Sequence, residues 1–271
     1  MGESGKAFSV FSDKIALVTG ASQGIGRAIS LGLMARGATV CTVGREPAIL
    51  ESIARSAPEG RMIPYQADLT RDGDIKELAA TIQRDHGRVD VLVHCAAGFA
   101  YGKLESASVE DFDRQYLVNV RAPYLLTQAL LPMLKSCQGE IVFLNSSVVL
   151  RPTANVSQYA ATKHALKAIA DSLREEVNAD GVRVLSVFPG RTATSLQAAI
   201  FRYEKRSYDP RLLLQPEDVA EVVINTLALP RTAEVTNISM RPLHKLYQGA
   251  IVFLNSLVEE ITTLSYFIAA A

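Results

Sequence analysis

The sequence predicts an α/β fold, a doubly wound parallel sheet in three α/β/α layers. Three observations carry the prediction. Seven short apolar, β-branched runs recur along the chain, stretches with helical apolar periodicity separate most of them, and a glycine-rich turn joins the first run to the first helix. The runs lack polar/apolar alternation, as expected of strands covered on both faces. Strand–helix–strand repetition then closes a parallel sheet, which binds ligands beyond the carboxyl ends of its strands. The chemistry is therefore expected just after the apolar runs.

The first run, IALVT from Ile15, is followed by Thr19-Gly20-Ala21-Ser22-Gln23-Gly24-Ile25-Gly26 and an amphipathic helix over residues 24–36. Gly20 permits a tight turn, Gly24 lets backbone N–H groups reach a pyrophosphate without an intervening Cβ, and Gly26 allows the helix to pack closely on the sheet. The stretch from Gly20 through Ser22, Gln23, Gly24 and Ile25 to Gly26 thus reads as an anion cradle at a helix N-terminus. The second run, ATVCTV from Ala38, ends at Gly44-Arg45. A carboxylate there would bond a free ribose 2′-hydroxyl and repel a 2′-phosphate. Glycine offers room and the guanidinium pairs with phosphate, so NADP(H) is expected over NAD(H), which stays possible. After the third run, RMIPYQ from Arg61, Asp68 with Leu69 either accepts from an adenine amino group or caps the next helix.

The fourth run, VDVLVH from Val89, leads to a helical stretch over 109–134 that carries Asn119, whose amide suits a buried hydrogen bond. The fifth, EIVFLN from Glu140, ends at Ser146 and Ser147, where a hydroxyl can hold a carbonyl oxygen. Tyr159 and Lys163 follow at one helical turn's spacing in a helix running through Leu173, so they share a face. A nearby ammonium favours phenolate, and the phenol is expected below its usual value of about 10, in a range useful for proton transfer. The sixth run, VRVLSVF from Val182, precedes a long mixed stretch over 191–214, placed as a substrate loop before the helix opening at Pro216. The seventh run is EVTNI from Glu234. In the tail, QGAIVFLNSL from Gln248 repeats eight of ten positions of QGEIVFLNSS from Gln138, too short a unit for a repeat architecture. The apolar stretch over 250–267 is expected to pack on this or a neighbouring subunit.

Composition bounds the rest. A chain of 271 residues, 48% hydrophobic and 21% charged, can fill one α/β domain, here taken as residues 1–271. Its 28 basic and 28 acidic residues leave no net charge to hold nucleic acid or an anionic membrane, so a small-molecule partner is expected. The opening residues lack the charge-then-apolar pattern of a leader, and no apolar segment approaches the roughly 18 residues of a spanning helix. Cys41, Cys95 and Cys137 have no metal-ligand spacing and leave one unpaired in any disulfide scheme, which suits a reducing compartment; no metal and a cytoplasmic location are expected.

Together these motifs resemble the short-chain dehydrogenase/reductase family over about residues 10–242. They are Thr19-Gly20-x3-Gly24-x-Gly26, Asp68-Leu69, Asn119, Ser146-Ser147, Tyr159-x3-Lys163, and Pro189-Gly190 with Thr194. The resemblance implies a Rossmann sheet of seven parallel strands and usually a homodimer or homotetramer. It implies that Tyr159 moves the proton, that a serine orients the carbonyl, that Lys163 binds the nicotinamide ribose, and that Asn119 anchors a water relay. The Pro189-Gly190 turn would lie against the nicotinamide, Thr194 would bond its carboxamide or the pyrophosphate, and Thr192 would also contact the cofactor. Three departures stand out. The family's Asn-Asn-Ala-Gly is replaced by His94-Cys95-Ala96-Ala97-Gly98, keeping small residues (Ala96, Ala97, Gly98) at the cofactor and leaving His94 a structural, hydrogen-bonded role. Ser146 stands at the family's usual spacing of thirteen before Tyr159, whereas the Ser-Ser-Val pattern selects Ser147, which is favoured. The tail over 243–271 extends past the usual end.

The function expected is hydride transfer between NADP(H) and a carbonyl or secondary alcohol, with Tyr159 as general acid/base. A non-catalytic dinucleotide sensor or scaffold is the alternative from another class; it needs degenerate catalytic positions, and all four residue types are present. An epimerase or dehydratase needs a larger substrate segment after the sixth strand. The substrate stretch mixes Leu196, Ile200, Phe201 and Tyr203 with Arg202, Lys205 and Arg206, which suits an apolar ketone or an anionic thioester carrier, or is simply a solvated basic segment.

Overall fold

A computed structural model of the chain describes residues 10–243. Its strands are β1 (Ile15–Thr19), β2 (Thr39–Gly44), β3 (Met62–Gln66), β4 (Val91–His94), β5 (Glu140–Leu144), β6 (Arg183–Pro189) and β7 (Asn237–Met240). They form one sheet in the order β3-β2-β1-β4-β5-β6-β7 with every neighbouring pair parallel. The helices are α1 (Gly24–Ala35), α2 (Pro47–Arg55), α3 (Asp72–His86), α4 (Val109–Tyr116), α5 (Ala122–Ser136), α6 (Ser157–Val177), α7 (Ser195–Tyr203) and α8 (Pro216–Leu227). This is the seven-stranded Rossmann arrangement the sequence predicts. Because strands alternate pointing to opposite faces, the sheet has two cores. Val18, Val40 and Val93 pack with Ile29 and Leu33 of α1 and Val223 and Ile224 of α8. Leu17, Leu92 and Phe143 pack on the other face with Ile82 of α3, Leu130 of α5 and Leu166 of α6. The strand order reverses between β1 and β4, and the loops leaving these strands diverge there to open a crevice.

Three local differences from the sequence reading have physical causes. Full coverage fails at the sheet edges: in β3 Pro64 and Gln66 are exposed and alternate with half-buried Ile63 and Tyr65, and Pro64 cannot donate to a ladder, while β7 is exposed at alternate positions. The seventh strand begins at Asn237 rather than Glu234, because the Glu234 carboxylate itself accepts from the Val184 N–H at 3.0 Å where a ladder carbonyl would stand. The single helical stretch expected over 109–134 is interrupted by a π turn, Leu117–Arg121. Pro123 has no N–H to give the Asn119 carbonyl, so the α-helical bond at that position is missing and the turn widens. Asn119 sits in this π turn.

Among the described residues no helix is long and apolar enough to cross a membrane. The tail motif from Gln248 and the stretch over 250–267 lie outside the described residues.

Candidate active site

The glycine turn leaves β1 with no room for side chains. At Gly20, φ is +66°, and a Cβ would stand 2.8 Å from the Ala96 backbone. At Gly26 a Cβ would lie 2.3 Å from the Gly20 carbonyl oxygen. Thr19 ties the two diverging strands together: its Oγ accepts from the N–H groups of Cys95 (3.1 Å) and Ala96 (3.2 Å) and donates to the Val93 carbonyl. The first turn of α1 has no side-chain cap and no acidic residue, so its N–H groups stay available to an anion. These are the properties a pyrophosphate cradle needs.

From this turn a cleft of about 460 Å³ runs across the carboxyl edge of the sheet. Ser22, Gln23, Gly24 and Ile25 line it, as do Gly44, Arg45, Asp68 and Leu69 at one end and Ala96, Ala97, Gly98, Tyr159, Lys163, Pro189 and Thr194 toward the other. Arg45 is exposed and forms no ion pair among the described residues. The Asp68 carboxyl accepts from the Thr70 N–H (3.0 Å) and Oγ (2.8 Å), and these bonds, helped by the charges of Arg45 and Arg71, hold it below the usual carboxylate range. It turns back on Thr70 and does not cap α3, whose first residue is Asp72, so of its two expected roles the helix cap is excluded.

At the other end of the cleft, α6 brings Tyr159 and Lys163 to the ends of β4 and β5. Lys163 is buried, donates to the Leu144 carbonyl at 2.8 Å, and lies 5.8 Å from the centre of the Tyr159 ring. Burial lowers its pKa to about 8. The phenol departs from expectation: burial pushes Tyr159 up to about 12, against a hydrogen bond with Ser146 that favours the phenolate. In the protein alone, desolvation outweighs the lowering that the lysine was expected to produce. Phe99 meets the Tyr159 ring edge-on with centroids 5.0 Å apart.

Asn119 is fully buried and satisfied. Its Oδ1 accepts from the Gly98 N–H (2.7 Å), and its Nδ2 donates to the Gly98 carbonyl (2.9 Å) and Thr162 Oγ (3.0 Å). Thr162 in turn donates to the Tyr159 carbonyl, so the π turn pins both the small-residue loop after β4 and the first turn of α6. His94 is buried, bonds Thr127 at 2.8 Å, stacks on Phe143, and is held neutral by burial, with its pKa lowered to about 3.

A second cavity, about 260 Å³, adjoins the first and shares Ile25, Phe99, Asn145, Tyr159, Pro189, Thr194 and Leu196 with it. Ser146, Ser147, Gly190 and Thr192 line this one. The two serines differ. Ser146 Oγ bonds Tyr159 and accepts from the Val148 N–H, whereas Ser147 opens a short 3₁₀ turn. The serine at the spacing of thirteen is thus the one beside Tyr159, while Ser147, which the Ser-Ser-Val pattern favours, lines the same cavity one residue on. Within 191–214, α7 covers the cavity. Thr194 caps it by accepting from the Gln197 N–H, and Ser195 donates to Gln23 of the glycine turn at 3.0 Å. Phe201 is buried between the Arg191 and Arg206 guanidinium groups, and Glu204 pairs with both arginines. Arg202 and Lys205 point to solvent, away from the cavity.

Sequence reasoning did not single out Phe99, Asn145 or Thr162. Thr162 was recoverable as the residue that shares a helix face with Tyr159 at i, i+3; Phe99 and Asn145 carry no periodic signal.

The profile of the short chain dehydrogenase family matches residues 14–205. An uncharacterised oxidoreductase of Staphylococcus aureus (strain USA300) is 32% identical over 237 residues, 86% of this chain and 99% of that protein. The crystal structure of a metagenomic short-chain oxidoreductase in complex with NADP is 30% identical with a TM-score of 0.75, covering 87% of this chain and all of that one. An alcohol dehydrogenase from Thermococcus sibiricus, complexed with 5-hydroxy-NADP, is 27% identical with a TM-score of 0.79 over 87% of this chain and 99% of its own.

Proposed function

The chain belongs to the short-chain dehydrogenase family, and on that footing we propose that it interconverts a carbonyl compound and a secondary alcohol with NADP(H). The observation that carries this reading is the meeting of Tyr159, Ser146 and Lys163 where the dinucleotide-sized cleft opens into the second cavity. The nicotinamide, when bound, supplies or takes up the hydride. Ser146 orients the carbonyl oxygen, and Tyr159 gives that oxygen a proton in reduction and removes it in oxidation. Lys163 holds the nicotinamide ribose and, while charged, favours the phenolate. Asn119 is a positioning residue that fixes Gly98 and α6. Asp68 accepts from the adenine amino group.

The cofactor preference rests on Gly44 and on the unpaired Arg45, next to the place for a 2′-phosphate. A partly exposed guanidinium–phosphate bond contributes on the order of 1.5–3 kcal/mol, roughly ten- to a hundredfold in kcat/KM for NADPH over NADH. Salt is expected to narrow the gap. Gly44→Asp with Arg45→Ala is expected to move the preference to NADH, and equal kcat/KM for the two cofactors in the wild type would refute the assignment. For the serines, Ser146→Ala is expected to lower kcat more than Ser147→Ala; the reverse ranking in steady-state kinetics would return the role to Ser147.

The same reading extends to assembly. Val109, Phe112 and Tyr116 form an exposed apolar stripe on α4, and Tyr124 continues it on α5. Covering this stripe with a second copy accounts for it, so a homodimer or homotetramer is proposed. The absence of net charge in the sequence supports a small-molecule substrate, and the free thiols of Cys41, Cys95 and Cys137 support a reducing, cytoplasmic setting.

A further inference from the structure

We infer that the substrate of this site carries a carboxylate or an equivalent anion beside its reacting carbonyl or alcohol carbon, and that the second cavity recognises it. The inference rests on the reading of the site as a carbonyl/alcohol oxidoreductase.

Buried polar side-chain atoms nearly always find a protein, water or ligand partner, so several without a protein partner around one cavity point to a molecule that fills it. Among the described residues six such atoms have no partner. Three of them are donors on residues that line this one cavity: Asn145 Nδ2, Arg191 Nη1 and Gln197 Nε2. They come from three separate segments, the end of β5, the turn after β6 and the first turn of α7. The fold therefore gathers unmet donors beside Tyr159 and Ser146 and leaves no orphaned acceptor in that cavity.

The charges agree. The charged residues lining the cavity are Arg151, Arg191 and Glu204. Glu204 is already neutralised by Arg191 (2.6 Å) and Arg206 (3.4 Å), while Arg151 has no ion pair among the described residues. The residues of this wall thus carry one uncompensated positive charge, on Arg151, and three unfilled donors just behind its surface. A neutral apolar ketone would leave the three donors unmet and buried, at a cost in affinity. A carboxylate is acceptor-only, offers two oxygens, and meets both needs. The ligand class is therefore an oxo acid in the reducing direction and a hydroxy acid in the oxidising one. The bond change is the same as for any carbonyl: hydride to carbon, the Tyr159 proton to oxygen, and the carboxylate unchanged.

The test compares straight-chain oxo acids, in which the carbonyl moves stepwise away from the carboxylate, with their methyl esters, using NADPH. One or more acids are expected to exceed their esters in kcat/KM by about tenfold or more. Arg151→Gln and Gln197→Leu are each expected to shrink that acid-to-ester ratio, through KM rather than kcat. Both are milder than a change at Arg191, which also holds Phe201 and Glu204. A binding measurement keeps the inference testable without turnover: hexanoate against hexanamide, titrated calorimetrically into the protein with NADP⁺. Tighter binding of hexanoate, lost in Arg151→Gln, supports the anion site. Esters matching acids throughout, or equal binding of hexanoate and hexanamide, overturns it. Reduction of neutral carbonyls alone would overturn the anion site and leave the oxidoreductase reading standing, whereas failure of every carbonyl with intact hexanoate binding would strike the oxidoreductase reading instead.

Discussion

Replacing Tyr159 by phenylalanine is expected to lower kcat for carbonyl reduction by roughly 10²–10⁴-fold while NADPH affinity stays near the wild-type value. The phenol is the acidic group that meets Ser146 at the junction of the two cavities, whereas the cofactor cleft is formed mainly by other residues. Its protonation gives the pH dependence a definite sign. Reduction needs the neutral phenol, which burial favours by pushing its pKa up to about 12 in the protein alone, so reduction is expected to hold across neutral pH and fall only on the alkaline side. Oxidation needs the phenolate and is expected to rise with pH. Lys163, lowered to about 8, loses the charge that favours phenolate as pH climbs past that value. Lys163→Met is therefore expected to lower oxidation most below about pH 8, where the ammonium is present, and to leave the limb above that value little changed. Kinetics at saturating NADPH, with cofactor binding followed by fluorescence, checks both statements; most of the wild-type kcat in Tyr159→Phe contradicts the role given to the phenol.

Gly26→Ala is expected to abolish productive cofactor binding. The new Cβ would lie 2.3 Å from the Gly20 carbonyl oxygen, a backbone atom in a turn that is itself pressed against Ala96. Relief requires the cradle to open, and displacement of a binding element by about 1 Å can cost about 10²-fold in rate. Gly73→Ala is the matched control, since a Cβ there meets nothing within 4 Å and the position lies in the first turn of α3. NADPH titration of the two variants, each shown folded by circular dichroism, separates the cradle from a general effect of losing glycine. Comparable affinity in both would mean that the turn does not hold the pyrophosphate.

The fold was legible in the sequence because a parallel sheet imposes continuous apolar runs on its central strands, such as Leu17, Val18, Leu92 and Val93, which are buried on both faces. The edges were less legible, since the exposed positions of β3 and β7 dilute that signal and a side chain, Glu234, takes over a backbone partner. Among the site residues, the glycine turn and the Tyr159–Lys163 pair were visible because local geometry fixes their spacing. The choice between Ser146 and Ser147 was not, because it turns on how the chain leaves β5 after Asn145, a tertiary detail. The direction of the Tyr159 shift was equally hidden: helical spacing reports the neighbouring lysine and says nothing of the desolvation that outweighs it. The π turn at Asn119 was foreshadowed by Pro123, whose effect on the preceding carbonyls is local chemistry.

Hydride transfer is what separates this enzyme reading from mere dinucleotide binding. Its most direct measurement uses NADPH deuterated at the transferable position of the nicotinamide, with a panel of carbonyl compounds that includes oxo acids, aldehydes and cyclic ketones, and mass analysis of the products. An alcohol carrying deuterium at the former carbonyl carbon is expected, formed by the wild type and not by Tyr159→Phe. Tight NADPH binding with no deuterated alcohol from any member of the panel would contradict the enzyme reading and favour a protein that senses the dinucleotide without turning it over.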